Sequence, residues 1–265
     1  MTEIEYRSHP AISRSELWRI HDSPEKFKYF KEHPEEPTPA LLFGQVFHKM
    51  ALEPDTFDLE FVVMPDVDRR TKEGKQLWAE FLEQAEGKTV IPAEMYEQAK
   101  AMCASLTAVP FAQKLLNGRR EVPFFWVDER TGEECKCRTD CLNTQYSQPI
   151  IVDVKSATDA STEAFIKDAI KYGYDFQAAM YSEGVSKHIH QTSLFVFIVV
   201  EKTPPYAVNI LQADELLLQR GHNIFRDCIE TYHECKLSGN WYGYLGKNNQ
   251  INTLALPAWL ARDVT

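Results

Sequence analysis

The stretch Ile150-Ile151-Val152-Asp153-Val154-Lys155 constrains the fold more than any other part of the chain. Its β-branched residues favour a strand, and Gln148-Pro149 before it reads as a turn. Residues two apart on a strand point the same way, so Asp153 and Lys155 share one face, opposite Val152 and Val154. Two charges in an otherwise apolar strand are costly unless they pair or bind a metal. The strand is therefore expected to be buried and to carry a site.

Periodicity elsewhere sets the architecture around it. Ser13-Arg14-Ser15-Glu16 has the spacing of a capping box and opens a helix through Ile20, and Ser23-Pro24 starts a second helix. Pro39 closes a short linker, after which Ala40–Leu52 is a strongly apolar helix carrying His48. Gly44 precedes His48 by one turn on the same face, and a glycine in mid-helix suggests a close approach there. A short strand is expected at Phe61–Val63, and the basic stretch Arg69-Arg70-Thr71-Lys72-Glu73-Gly74-Lys75 reads as a loop and helix start. Helices are expected over 75–86 and 93–108.

The period then changes. Glu121–Asp128 and Glu134–Leu142 read as strands joined by a hairpin at Glu129-Arg130-Thr131-Gly132. Lys136, Arg138 and Asp140 fall on one face of the second strand. After the Ile150–Lys155 strand, Ser161 or Thr162 caps one long helix that runs through Tyr174 and Gln177 to Tyr181. Strands at 192–200 and 206–211 and a helix over 214–236 complete the pattern, and the tail carries Trp241-Tyr242-Gly243-Tyr244 and Leu256-Pro257-Ala258-Trp259. This order predicts an α/β fold with a central mixed β-sheet flanked by helices and a helical N-terminal region. It is read as a single domain over 1–265: a mainly helical part (1–120), an α/β core (121–236) and a C-terminal tail (237–265).

With 29 Lys and Arg against 39 Asp and Glu, the net charge is −10. That disfavours nucleic acid as a partner only weakly, because a groove can concentrate cations that the total conceals. No apolar run approaches the ~20 residues of a membrane span. The acidic N-terminus lacks an apolar signal core, so the expectation is a cytoplasmic protein without membrane attachment. The six cysteines have no framework spacing.

Asp140 at the end of one strand, with Asp153 and Lys155 on the next, spells Asp-(x)12-Asp-x-Lys. Hydrolysis of a phosphodiester needs a divalent cation, an attacking water and charge neutralisation at the phosphate. Two carboxylates can hold Mg²⁺, and a lysine can orient the water or stabilise developing charge. Asp-x-Lys alone is equally the pattern of a strand-end salt bridge. The surroundings favour the site: a Gly-x-x-x-His helix lies upstream, and Gln177 and Tyr181 follow one turn apart.

That set and order resemble the PD-(D/E)xK nuclease superfamily. The stretches His9–Ser13, Phe43–His48, Arg69–Lys75, Cys135–Asp140, Ile151–Lys155, Tyr172–Tyr181 and Val200–Tyr206 are similar to the nuclease domain of the exodeoxyribonuclease VIII (RecE-type) family. Ser156-Ala157 departs from it where threonines are expected. The resemblance implies a restriction-endonuclease-like core and a metal-dependent 5′→3′ exonuclease on linear duplex DNA ends, leaving 3′ single strands for recombination by annealing. It implies Mg²⁺, with Mn²⁺ able to substitute, held by His48, Asp140, Asp153 and the Val154 backbone carbonyl. Lys155 would activate water, Gln177 would position that lysine or the water, and Tyr181 would support it. Arg69, Arg70, Lys72, Lys75 and Arg138 would contact DNA, and Glu121 either approaches the metal or ends its strand in solvent. A ring-shaped tetramer and a RecT-like single-strand annealing protein are the implied partners. Some relatives carry an iron–sulfur cluster, but Cys135, Cys137, Cys141, Cys228 and Cys235 lack its spacing, and free thiols are expected. A structure-specific endonuclease and a non-catalytic DNA-end binding protein are the alternatives.

Overall fold

A computed structural model describes Met1 and residues 3–256; the expected motif at Leu256–Trp259 therefore lies almost wholly outside the described residues. The N-terminal part is helical: α1 (Glu3–Ser8), α2 (Arg14–Asp22), α3 (Pro24–Glu32), α4 (Pro39–Leu52), α5 (Phe57–Glu60), α6 (Lys72–Ala85), α7 (Ala93–Thr107) and α8 (Pro110–Leu115). Three short strands interrupt it, β1 (Ile12–Ser13), β2 (Phe61–Val63) and β3 (Thr89–Ile91). The α2 start is as the capping box predicts, with the Glu16 carboxylate accepting the Ser13 amide at 2.9 Å.

The core follows as β4 (Arg119–Val127), β5 (Glu134–Asn143), β6 (Ile150–Ala157), α9 (Thr162–Tyr172), α10 (Tyr174–Ile189), β7 (Leu194–Glu201), β8 (Val208–Gln212) and α11 (Glu215–Ser238). The single long helix expected from Ser161 to Tyr181 is in fact two. Gly173 adopts φ +66°, the left-handed conformation that ends a helix, and its α-carbon lies against Trp18, where a Cβ would stand 2.5 Å from the ring. The apolar period continues across the break, which is why spacing alone reads it as one element.

Six strands form the main sheet. β6 and β7 run parallel in register from Ile150↔Leu194 to Ala157↔Glu201, and β8 pairs antiparallel with β7. β4 lies antiparallel along one edge of β5. The other edge of β5 is divided: β6 pairs only at Cys141–Asn143, and β1 pairs at Cys135 and Lys136. The sheet therefore opens between β5 and β6 beyond the Cys141↔Val152 pair.

Helices cover both faces. On one side Phe165, Phe176, Met180 and Phe225 from α9, α10 and α11 pack on Ile151, Phe195 and Phe197. On the other, Val46, Phe47 and Met102 from α4 and α7 pack on Val152, Val154 and Ile198. Alternation along β6 thus sends Asp153 and Lys155 toward α10, as period two predicts. No helix among the described residues is long and apolar enough to cross a membrane.

Candidate metal centre

The opening in the sheet is where the polar residues collect. Asp140 sits one residue beyond the last β5–β6 pair, and its side chain takes the place of the next rung: Oδ2 accepts the Val154 amide at 2.7 Å. The same oxygen lies 2.8 Å from His48 Nε2. His48 arrives from α4 on the other face, and the gap lets it reach the strand ends.

Glu121 joins them. It lies opposite Asp140 between the paired residues Arg120↔Cys141 and Val122↔Thr139, and it has φ +50°. The pleat inverts here: Cys135 and Cys137 belong to the α10-side core, whereas Cys141 faces the α4 side. That inversion turns the Glu121 carboxylate toward His48, with Oε1 3.7 Å from Nδ1, while Oε2 pairs with Arg138 Nε at 2.8 Å. His48, Glu121 and Asp140 each offer a ligand atom within 4.8 Å of the others.

Asp153 stands beside this group, engaged with Lys155 and Gln177. Its Oδ1 accepts from Gln177 Nε2 at 2.5 Å, and its Oδ2 lies 2.5 Å from Lys155 Nζ. The structure thus joins Lys155, Asp153 and Gln177 in one contact set and His48, Asp140 and Glu121 in the adjoining one. The Tyr181 hydroxyl is raised well above its ordinary pKa chiefly by burial, with Tyr6, Cys137 and Asp153 adding to the rise. The aromatic ring against Lys155 is that of Tyr174, with Nζ 4.8 Å from its centroid.

The electrostatics are those of a crowded, partly desolvated cluster. Burial opposes charge on His48, but Asp140 and Glu121 outweigh it and raise its pKa to about 9. Burial pushes Glu121 up to about 7, with His48 and Arg138 opposing and Asp140 adding to the rise. Burial works against both members of the central pair: it raises Asp153, whereas the Asp153 and Asp140 carboxylates overcome it at Lys155 and keep that amine protonated.

The donor set fits a divalent cation. Glu121 Oε1 is buried without a hydrogen-bond partner, as expected of an oxygen whose partner is an ion. His48 keeps 32% of its side-chain surface, so the group is open on one side. One imidazole nitrogen with carboxylate oxygens suits Mn²⁺ and Mg²⁺ better than a thiolate-seeking ion.

Lys136 donates to the carbonyls of Tyr6, Arg7 and His9, anchoring the segment before β1. Arg70 is tied to Asp68, Arg69 lies over the Trp78 ring, and Lys72 and Lys75 are exposed on the first turn of α6. None of the four is in contact with the cluster among the described residues. Among the described residues nothing makes the close approach expected at Gly44, since a Cβ there would meet no atom within 4 Å. All six cysteines are unbridged, and they are divided between the two cores and α11.

Residues 13–253 match a family model described as a PDDEXK-like domain of unknown function (DUF3799). The chain belongs to this family. Its fold is accordingly that of the PD-(D/E)xK nucleases. Among solved structures it is similar to a Eubacterium rectale protein described as a "Putative exonuclease", with a TM-score of 0.62 at 13% identity, covering 100% of this chain and 98% of that one. The structure of SSO0001 aligns over 70% of this chain and 84% of its own at 13% identity, with a TM-score of only 0.33. A comparison with curated proteins finds no match. Glu121 is the member of the cluster that alternation along its strand does not single out, and Tyr174 carries no motif of its own.

Proposed function

We propose that the protein is a divalent-metal-dependent deoxyribonuclease, and more narrowly a 5′→3′ exonuclease that acts on the ends of linear duplex DNA. The observation that carries this reading is the juxtaposition of two sets: His48, Glu121 and Asp140 as nitrogen and oxygen donors, and Asp153, Lys155 and Gln177 beside them. His48, Glu121 and Asp140 would hold the cation, with Asp153 and the Val154 carbonyl as further ligands. The ion would supply Lewis-acid stabilisation of the phosphate and a more acidic water. Lys155, held protonated, presents positive charge to the phosphate oxygens as negative charge develops on them. Gln177 fixes the Asp153 carboxylate from the other side, and Arg138 orients Glu121. Lys72 and Lys75 are free to meet backbone phosphate; Arg69 and Arg70 would have to leave Trp78 and Asp68 to do so.

The resemblance to the RecE-type family supports the finer assignment. It adds a 3′ single-stranded product, a single-strand annealing protein as consumer of that product, and assembly into a ring-shaped tetramer. The deciding experiment is digestion of linear duplex carrying distinguishable 5′ and 3′ labels, with Mg²⁺, with Mn²⁺ and with EDTA. The 5′ label should leave first, EDTA should stop the reaction, and covalently closed circles should survive. Cutting of closed circles would point to a structure-specific endonuclease. Absence of any metal-dependent cleavage, together with retained binding to DNA ends, would leave a non-catalytic end-binding protein.

A further inference from the structure

Gln177 and Tyr174 both project from the first turn of α10, and they engage different members of the buried ion pair. Gln177 Nε2 donates to Asp153 Oδ1 at 2.5 Å, and the Tyr174 ring lies beneath Lys155 Nζ at 4.8 Å from its centroid. We propose that Tyr174 is a positioning residue for Lys155, whose ring face fixes where the ammonium points. The contact is read from geometry alone; its consequence for catalysis rests on the nuclease reading.

Three features make the ring a fixed platform. Phe197 is paired across β6–β7 with Asp153, and Tyr174 packs against Phe197 at 6.2 Å between centroids, which sets the ring beside the ion pair. Phe165 stacks on Tyr174 at 5.7 Å and an interplanar angle of 26°, so the ring plane is held from the α9 side. Arg14 donates to the carbonyls of Tyr172 and Gly173, pinning the break from which α10 begins. A lysine has a flexible four-carbon stem and loses much rotamer freedom when ordered. Asp153 alone would hold the ammonium at one point; the ring adds a second, through the attraction of a cation to an aromatic face. Together they aim Nζ without engaging it in further hydrogen bonds that a phosphate would have to displace.

A core aromatic with no such role would tolerate any replacement of similar volume. The test therefore compares Tyr174→Phe, which keeps the face, with Tyr174→Met and Tyr174→Leu, which remove it. In protein carrying labelled lysine, the Lys155 ε-methylene protons should be shifted upfield by the ring in wild type and Tyr174→Phe, a signal assigned by its loss in Lys155→Arg. The shift should vanish in whichever ringless variant folds. On linear duplex DNA with Mn²⁺, Tyr174→Phe should keep kcat within about twofold, and the ringless variant should lose about tenfold in kcat with KM unchanged. No upfield lysine in the wild type, wild-type kcat in a ringless variant, or equal loss in Tyr174→Phe would each overturn the proposal. If wild-type protein digests no DNA, the nuclease reading fails, while the lysine shift still decides whether Tyr174 positions Lys155.

Discussion

Asp140 replaces a backbone rung with its own carboxylate: Oδ2 takes the Val154 amide at 2.7 Å in the gap beyond the last β5–β6 pair. One oxygen therefore caps an opened sheet and, 2.8 Å from His48 Nε2, faces the donor group. The two duties separate in Asp140→Asn. Its amide oxygen can still accept from Val154, so the melting temperature should stay within about 3 °C of wild type, a shift of about 1 kcal/mol or less for a chain of this size. Loss of the charge should weaken Mn²⁺ binding by at least about tenfold. Calorimetric metal titration beside thermal melting checks both, and unchanged affinity would remove Asp140 from the ligand set.

Glu121 is the donor whose membership depends on backbone geometry, because its φ of +50° and the inverted pleat bring it to His48. Glu121→Gln keeps the shape and removes the charge. Metal affinity should fall by about ten- to a hundredfold, the size of effect seen when ligand shells are altered. Stability should rise slightly or hold, since burial already pushes this carboxyl up to about 7. A variant that binds Mn²⁺ as tightly as wild type would make Glu121 a structural partner of Arg138 only.

Lys155 carries a charge that the reaction would use, and its loss leaves the buried Asp153 carboxyl to Gln177 and a proton, at some cost in stability. Lys155→Ala should lower kcat by about a thousandfold on linear duplex, within the usual range for removing a positioned proton donor or charge. Asp153 keeps Gln177 at 2.5 Å in that variant, so the folded state should persist, which circular dichroism would verify. EDTA-sensitive digestion at the wild-type rate would contradict the assignment.

Much of this site can be read from residue types alone. The face shared by Asp153 and Lys155 follows from period two, and the α2 start follows from Ser13 as a cap. What escapes local reading is tertiary. Alternation along β4 puts Glu121 opposite the face of Val122, Phe124 and Trp126, and nothing in its neighbours announces a left-handed glutamate. The break at Gly173 has a local signal, a glycine after the helical Tyr172, but the apolar spacing on either side hides it. Tyr174 lies in a buried stretch rich in aromatics, and only packing shows which of them meets the lysine.

Gly173 accordingly offers a test of how the fold holds α10 in place. Alanine there would incur the left-handed penalty of about 1 kcal/mol and drive its Cβ into the Trp18 ring. A total loss of about 2–3 kcal/mol is expected in urea unfolding, with a larger fall in kcat than Trp18→Phe produces, because Tyr174 and Gln177 follow the break directly.

Away from the site, the β4–β5 hairpin is latched to α11 by Asp128 and Arg226. Asp128 Oδ1 accepts from Arg226 Nη2 at 3.0 Å and from the Thr131 amide and hydroxyl at 2.9 and 2.7 Å, while Oδ2 takes Arg226 Nη1. Burial opposes the charge, yet the guanidinium and these donors hold the carboxyl well below the usual carboxylate range. A depressed folded pKa means that the unfolded state takes up protons first as pH falls. The latch is therefore fully present at neutral pH, begins to weaken below about pH 4, and is lost as pH drops toward the folded value. Asp128→Asn should cost about 3 kcal/mol at pH 7, the lower end for breaking a buried pair. It should also flatten the acid limb of the stability curve, so that mutant and wild type converge as pH approaches 2. Urea unfolding measured from pH 7 down to pH 2 tests this, and a difference that stays constant across the range would show that the lost stability comes from packing and not from the ionised carboxylate.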